Sequence, residues 1–456
     1  MIASLLGLFE TFGFHDTFFQ IYEKIVLNPR RYGNVMAEEK LFQVKSPFCF
    51  GPSEGSPKKV ILLCHAFFPD SIGGTERFAR SLAKELQAAG DQVTLFAYSA
   101  RLRRQYSERD GDILFSREIV DGIPVIRLRH TYPKRGLLKG FPSDPAMEAF
   151  AKKVLQAVKP DAVHLVHLGR LYGFIHACLQ QKVPYFVTLT DFFAICHYST
   201  RIDKKGQLCP GSQQGKRCAA KCASAQVRNP CDRYHEAMTL LTSAELVVAP
   251  SSYVAGIYEQ EFPDLRVEVI PHGIAQEFRW KPKRGEPRRF GYIGKLADLK
   301  GVLLLLRAFQ SMPADCTLDL YGTGNAVYVH KLHRFAARDA RIHFHGPVAL
   351  GKMAVVYREL DCVVIPSLVP ETYNFVLRES LQSGCFVVAA AIGAMLEVLD
   401  ATPNGFAFSC GDEQALSAAL HQVRRCKLEE LCMERFDTPA QEASTYRKCY
   451  QIRRGE

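Results

Sequence analysis

No apolar run in this sequence approaches the ~18 residues needed to span a bilayer; the longest lies around Cys385 to Leu396, so no membrane-spanning helix is expected. The amino terminus, MIASLLGLFETFGFHDTFF, lacks a basic leader and carries Glu10 and Asp16. It reads as uncleaved, and the chain as cytoplasmic. A G-x-G-x-x-G fingerprint is missing from the first β-to-α turn, which argues against a nicotinamide enzyme. Internal repeats and low-complexity segments are also missing, which sets aside solenoid, fibrous and disordered classes. What remains is ordinary globular composition: 456 residues, 47% hydrophobic and 23% charged, enough for two or three domains. The net charge of +11 suits anionic small molecules, phospholipid surfaces or polyanionic acceptors, and does not by itself indicate nucleic acid.

The chain is organised around residues 364–397, VIPSLVPETYNFVLRESLQSGCFVVAAAIGAMLE. Val363 to Ile365 read as a buried strand, Pro370 punctuates a loop, Thr372 is the expected N-cap, and Tyr373 to Ser383 carry helical spacing that stops at Gly384. The backbone N–H groups of Asn374, Phe375 and Val376 then point out of a helix terminus that favours phosphate. Glu371 lies just before this helix and Glu379 about two turns inside it, roughly 10 Å apart at the rise of an α-helix. That span suits a nucleotide sugar, with Glu371 near the sugar hydroxyls, the diphosphate on the helix end and Glu379 at the ribose. Carboxylates are natural acceptors for vicinal hydroxyls.

From Lys58 the chain reads as a βαβ unit: VILLC, a loop ending in Gly73 and Gly74, the helix TERFARSLAKELQAAG, and VTLFA. The paired glycines let backbone approach a ligand closely ahead of a helix N-terminus. Strands follow at IPVIRL, AVHLVHL, YFVTLT, LVVAPS and VEVIPHG, then FGYIG, CTLDLYG, RIHFHG, DCVVIPS and GFAFS. Alternation with helical segments predicts α/β architecture with parallel, doubly wound sheets. Residues 1–57 fall outside this pattern. Leu5, Leu8, Phe9 and Phe12 fit an amphipathic helix and GPSEGSPKK a linker. This accessory segment covers the first domain, binds a partner or touches a membrane. Between Arg101 and Lys139 ten Lys/Arg face five Asp/Glu, a solvated basic surface or a contact for anionic membrane or acidic acceptor. VTLTDFF places Asp191 at a strand end, where such sheets bind ligands. In GKLADLKG, Lys295 and Lys300 sit in a β-to-α loop and can neutralise a departing diphosphate.

Of 15 cysteines, five cluster in a loop-like stretch: Cys196, Cys209, Cys218, Cys222 and Cys231. Four clustered thiolates suit a structural Zn²⁺ that staples a loop with little core of its own, with Cys196, Cys209, Cys218 and Cys222 as ligands and Cys231 or His197 as substitutes. An iron–sulfur cluster, reduced thiols and disulfides remain alternatives.

PETYNFVLRESLQSGCFVVAA resembles the signature of family 4 retaining nucleotide-sugar glycosyltransferases, whose two glutamates are separated by seven residues. FFPDSIGGTERFARSLAKELQAAGDQVTL is similar to that family's opening unit. The resemblance covers roughly residues 58 to 450. It implies a GT-B architecture: residues 58–270 as a Rossmann-like acceptor-side domain with the cysteine insertion at 196–231, residues 271–430 as a Rossmann-like donor-binding domain, and residues 431–456 as a helix packing back across both. VIPHGI resembles the hinge. The resemblance further implies a UDP-, GDP- or ADP-sugar donor, a sugar, lipid or polysaccharide acceptor, and sugar transfer with retention, in surface polysaccharide or glycolipid synthesis. Gly73 and Gly74 would lie against the donor phosphates, Val348 beside the nucleobase, and Gly322 and Gly324 match a glycine pair after the second strand. Lys295 stands where the family usually has arginine, which keeps the charge and loses the bidentate fork. Thr190 stands where a histidine is expected near the donor sugar, leaving Asp191 as the polar group. No D-x-D motif occurs where a metal would bridge the diphosphate, so fixed cations are expected to do that work. The rival readings are a non-catalytic nucleotide-sugar-binding scaffold and a metal- or redox-sensing module.

Overall fold

The structure, a computed structural model, describes residues 58–451 apart from 100, 102–104, 133–140, 142, 223–228, 279 and 281. The segment 1–57, read above as accessory, lies outside the described residues.

The first sheet holds β1 (Lys59–Cys64), β2 (Gln92–Tyr98), β3 (Glu108–Asp110), β4 (Ile113–Val120), β5 (Ile123–His130), β6 (Ala162–Leu165), β7 (Tyr185–Thr188), β8 (Leu246–Ala249) and β9 (Val267–Val269). Their order is β3-β4-β5-β2-β1-β6-β7-β8-β9. The second sheet holds β10 (Arg289–Ile293), β11 (Thr317–Tyr321), β12 (Ile342–Gly346), β13 (Cys362–Ile365), β14 (Phe386–Ala390) and β15 (Gly405–Phe408), ordered β12-β11-β10-β13-β14-β15. Every pairing in the second sheet is parallel.

Parallel strands covered on both faces read as unbroken apolar runs, and KVILLC shows why. Val60 and Leu62 enter one core cluster while Ile61 and Leu63 enter another on the opposite face, the period-two alternation of a strand. A third cluster surrounds the second sheet, with Phe290, Leu306, Val363, Leu377 and Val387 fully buried.

The first sheet departs from the all-parallel expectation at one edge. β4 pairs antiparallel with both β3 and β5. β4 and β5 are joined by Asp121 and Gly122 at φ 53° and 83°, the left-handed pair that a tight hairpin turn requires. Of the basic stretch, Arg103, Arg104, Lys134, Arg135 and Lys139 lie outside the described residues, and several of the described arginines are engaged locally. Arg127 is wholly buried, with Nε 2.5 Å from Glu118, while Arg101 pairs with Asp70 and Glu118, and Arg117 with Glu108. Among the described residues no helix is long and apolar enough to cross a membrane.

Three helices frame the cleft between the sheets: α1 (Gly74–Ala88), α2 (Phe375–Gln382) and α3 (Pro439–Cys449). α1 buries Phe78, Ala79, Leu82, Ala83 and Leu86 at helical spacing. α3 starts with a Thr438–Gln441 capping box and returns to the first sheet, where Ala443, Tyr446, Cys449 and Tyr450 join the core behind α1. There the Tyr450 hydroxyl lies 2.7 Å from His164 Nδ1, and the Tyr446 hydroxyl 2.9 Å from Thr188 Oγ1. Burial pushes the His164 imidazole down to about 3, so it remains neutral within this network.

Candidate active site

β13 ends at Ile365, and the loop that follows delivers Glu371 and the start of α2. Asn374, not Thr372, is the N-cap. It takes the left-handed conformation at φ 64°, which asparagine tolerates, and its Oδ1 accepts from Leu377 N at 3.0 Å. Thr372 is diverted across the cleft, where its Oγ1 donates to the Thr190 carbonyl at 2.9 Å. The N–H groups of Asn374, Phe375 and Val376 have no recorded partner among the described residues, so the helix mouth keeps donors to offer an anion.

Glu371 is held by two donors on one oxygen: Lys300 Nζ at 2.6 Å and Ser367 Oγ at 2.6 Å. Lys300 ends a short 3₁₀ turn, Asp298–Lys300, and Gly301 follows at φ 68°. A Cβ at Gly301 would collide with the Pro366 carbonyl oxygen, so only glycine lets this loop press against the end of β13 and bring Lys300 to Glu371. In the same turn, burial pushes the Asp298 carboxyl up to about 6. Lys295 is exposed, and its backbone carbonyl accepts from the Tyr292 hydroxyl at 2.7 Å. Val348 follows β12 and is half-buried against the core of the second sheet.

Glu379 lies deeper than the sequence reading placed it. Its side chain is 1% exposed; one oxygen pairs with Arg77 of α1 and the other accepts from the Tyr357 hydroxyl at 2.8 Å. The Arg77 guanidinium also lies 4.8 Å from the centre of the Phe375 ring. Sequence reasoning missed both partners, because contacts spanning 302 and 22 residues lie beyond the spacing of a single helix.

Gly73 and Gly74 open α1 on the facing side. A methyl group at Gly74 would meet only the Phe375 ring, at an ordinary 3.8 Å, so the protein's own packing leaves room there. Thr190 is a structural junction: its hydroxyl donates to the Val166 carbonyl at 2.9 Å and accepts from Thr75 at 3.0 Å. Asp191 accepts from Phe193 N at 2.8 Å and faces His167 Nε2 at 3.0 Å. Gly169 N donates to His167 Nδ1 at 2.8 Å, which leaves the ring proton on Nε2, toward Asp191. Burial alone would raise the Asp191 carboxyl, but His167 and the Phe193 N–H outweigh it and hold it below its ordinary value. A histidine is therefore present at the cleft, one strand over from position 190. The His65 ring lies tilted against that of His167, 4.0 Å between ring centres, and burial together with His167 keeps it neutral.

The sequence profile for "Glycosyltransferase Family 4" matches residues 72–278, and that for "Glycosyl transferases group 1" matches residues 287–425. The chain belongs to the GT-B glycosyltransferases of family 4. Among curated proteins, it is 28% identical over 192 residues to a D-inositol 3-phosphate glycosyltransferase of Xylanimonas cellulosilytica, covering 35% of this chain and 46% of that one. It is 26% identical over 176 residues to the lipopolysaccharide 1,2-N-acetylglucosaminetransferase of Salmonella typhimurium, covering 34% and 46%. The alignments thus span about half the length of these curated relatives. Anabaena HepE, solved with UDP and glucose, superposes with a TM-score of 0.58 at 20% identity, over 87% of this chain and 95% of that one. Sucrose-phosphate synthase from Thermosynechococcus elongatus gives 0.59 at 18%, over 87% and 94%. These superpositions show the shared GT-B fold.

This glycosyltransferase also gathers four of its five clustered cysteines at one pocket. Cys196, Cys209, Cys218 and Cys222 line one pocket with His197 and Asp203; Cys231 is not among its lining residues. Every described cysteine is a free thiol, and no group of three or more His, Cys, Asp or Glu among the described residues is placed to hold a metal ion. The four thiols expected as ligands thus converge on one pocket, and neither a zinc nor an iron–sulfur site is shown among the described residues. Groups that would ligate are engaged locally: Cys209 Sγ donates to the Gly211 carbonyl at 3.3 Å, and His197 Nε2 lies 3.1 Å from the Cys222 carbonyl. Burial raises the thiols of Cys196 and Cys222 and pushes Cys218 up to about 12, so they stay protonated.

Proposed function

We propose that this glycosyltransferase transfers a sugar from a nucleotide-sugar donor to an acceptor hydroxyl with retention of configuration. The observation that carries the reading is the Lys300–Glu371 pair at the mouth of α2, with room left at Gly74 on the facing helix, where an added methyl group would meet only the Phe375 ring. In the reaction the bond from the anomeric carbon to the diphosphate oxygen breaks, the acceptor oxygen bonds to that carbon, and the acceptor proton leaves with the diphosphate. Charge grows on the leaving diphosphate, which is the main demand on the site. Lys300, Lys295 and the N–H groups of Phe375 and Val376 would meet it. Glu371 would orient the donor sugar, Glu379 the ribose, and Val348 the base. Asp191, with His167, would offer polar contacts from the facing sheet. Fixed cations fill the role that a divalent metal plays elsewhere.

The acceptor class we favour is a saccharide or glycolipid of a surface polymer. Support comes from the relative that is a lipopolysaccharide N-acetylglucosaminetransferase and from HepE, solved with UDP and glucose. The site of action we propose is the cytoplasm, at the face of an anionic membrane.

Thermal-shift titration with UDP, GDP, ADP and their sugars tests the reading. One nucleotide is expected to stabilise the chain, by about 2.7 kcal/mol at one hundred times its dissociation constant. Failure of every nucleotide to shift the transition would overturn the proposal. Stabilisation without turnover over a broad acceptor panel would favour the scaffold reading, for which Thr190 at the expected histidine position is the motive.

A further inference from the structure

We propose that Arg77 is a third cation for the donor diphosphate, reaching it from the first-sheet side of the cleft with the guanidinium fork that Lys295 lacks. The inference rests on the nucleotide-sugar reading of the site.

Three observations place it. Arg77 belongs to the first turn of α1, three residues after Gly74, so it projects from the helix start that faces α2. Its guanidinium lies over the ring of Phe375, the first residue of α2, whose free N–H groups form the anion-binding mouth. The side chain is 23% exposed, and its one recorded hydrogen bond among the described residues runs from Nη2 to Glu379.

That single bond is what separates a ligand-binding role from a structural one. A guanidinium carries five N–H donors in a planar fork, and neutralising the buried Glu379 carboxylate occupies one of them. The ion pair fixes the plane of the fork, and stacking on Phe375 restricts its swing. The remaining donors are thereby pre-organised at little entropic cost beside the helix mouth, as bidentate recognition of a phosphate requires. Lys295 is exposed, and an ammonium there acts as a point charge without such geometry. Each Glu379 oxygen retains a second lone pair after binding Arg77 or Tyr357, so the pair and a ribose hydroxyl are compatible on one carboxylate.

The test is calorimetric titration of wild type, R77K and R77Q with the nucleoside diphosphate found above and with the matching monophosphate. In R77Q the diphosphate is expected to lose about tenfold or more in affinity while the monophosphate changes by less than about twofold, since a charge-assisted bond lost here is worth at least 1.4 kcal/mol. R77K, which keeps Glu379 paired, recovers only part of the loss because it lacks the fork. Should the lone Glu379 carboxylate prevent R77Q from folding, the R77Q/E379Q double variant is read by the same diphosphate-to-monophosphate ratio. A ratio unchanged in R77K and in whichever glutamine variant folds would overturn the role of Arg77. A wild type that binds no nucleoside diphosphate would instead sink the nucleotide-sugar reading.

Discussion

Lys300→Ala is expected to lower kcat about 10² to 10³-fold with little change in melting temperature, and Glu371→Gln to fall in the same range. Removing one fixed group that stabilises developing charge in a preorganised site typically costs that much. The folded state should hardly notice. Lys300 is 36% exposed and Glu371 15%, and partly exposed ion pairs contribute at most about 1 kcal/mol to stability. Glu371 also keeps its Ser367 hydrogen bond when Lys300 is removed, so the loop after β13 retains an anchor. Steady-state kinetics beside a thermal melt separate the two effects. Normal turnover in either variant would remove these residues from the reaction. A collapse of melting temperature with the activity would assign them to the fold.

Glu442→Ala carries the largest expected effect on stability, about 3 kcal/mol. Glu442 lies in α3 with 4% exposure, and each of its oxygens serves the segment joining the two sheets: Oε1 is 2.9 Å from His272 Nδ1, and Oε2 accepts from Gly273 N at 2.8 Å. Truncation strands two buried polar groups, each costing about 1–3 kcal/mol when left without a partner. The damage should reach the site. His272 stacks on Phe375 at 5.4 Å, and its carbonyl accepts the Tyr373 hydroxyl, so it supports the mouth of α2 from below. Urea titration should show an earlier midpoint, and kcat/KM should fall even at temperatures where the variant is folded. A midpoint shift worth under about 0.5 kcal/mol would mean that α3 does not hold the halves together through this residue.

Much of this scaffold could be read before the structure, because parallel strands buried on both faces leave unmistakable apolar runs such as KVILLC and CVVI. The antiparallel edge escaped notice although its turn was written in the chain as Asp121-Gly122, a strong hairpin signal. The opening of α2 was found, but its cap was assigned to Thr372 when Asn374 served. Threonine and asparagine both cap helices, and only the left-handed backbone at Asn374 decides between them. AVHLVHL read as one strand through Leu168, yet β6 stops at Leu165 and so releases His167 to the cleft beside Asp191. Arg77 had no chance of being found from spacing, since its partner Glu379 is reached only through the meeting of the two sheets. The cysteine cluster was legible as a cluster. Its state was not, because whether thiols converge tightly enough to bind an ion depends on loop geometry that local composition does not encode.

The central claim is that a diphosphate is held between the mouth of α2, Lys300 and the glycines at 73 and 74. Its most direct test is a crystal structure with the nucleoside diphosphate that stabilises the chain. The account predicts phosphate oxygens within about 3.2 Å of Phe375 N or Val376 N and of Lys300 Nζ. A nucleotide bound elsewhere, with that helix mouth unengaged and Lys300 still closed on Glu371, would contradict it.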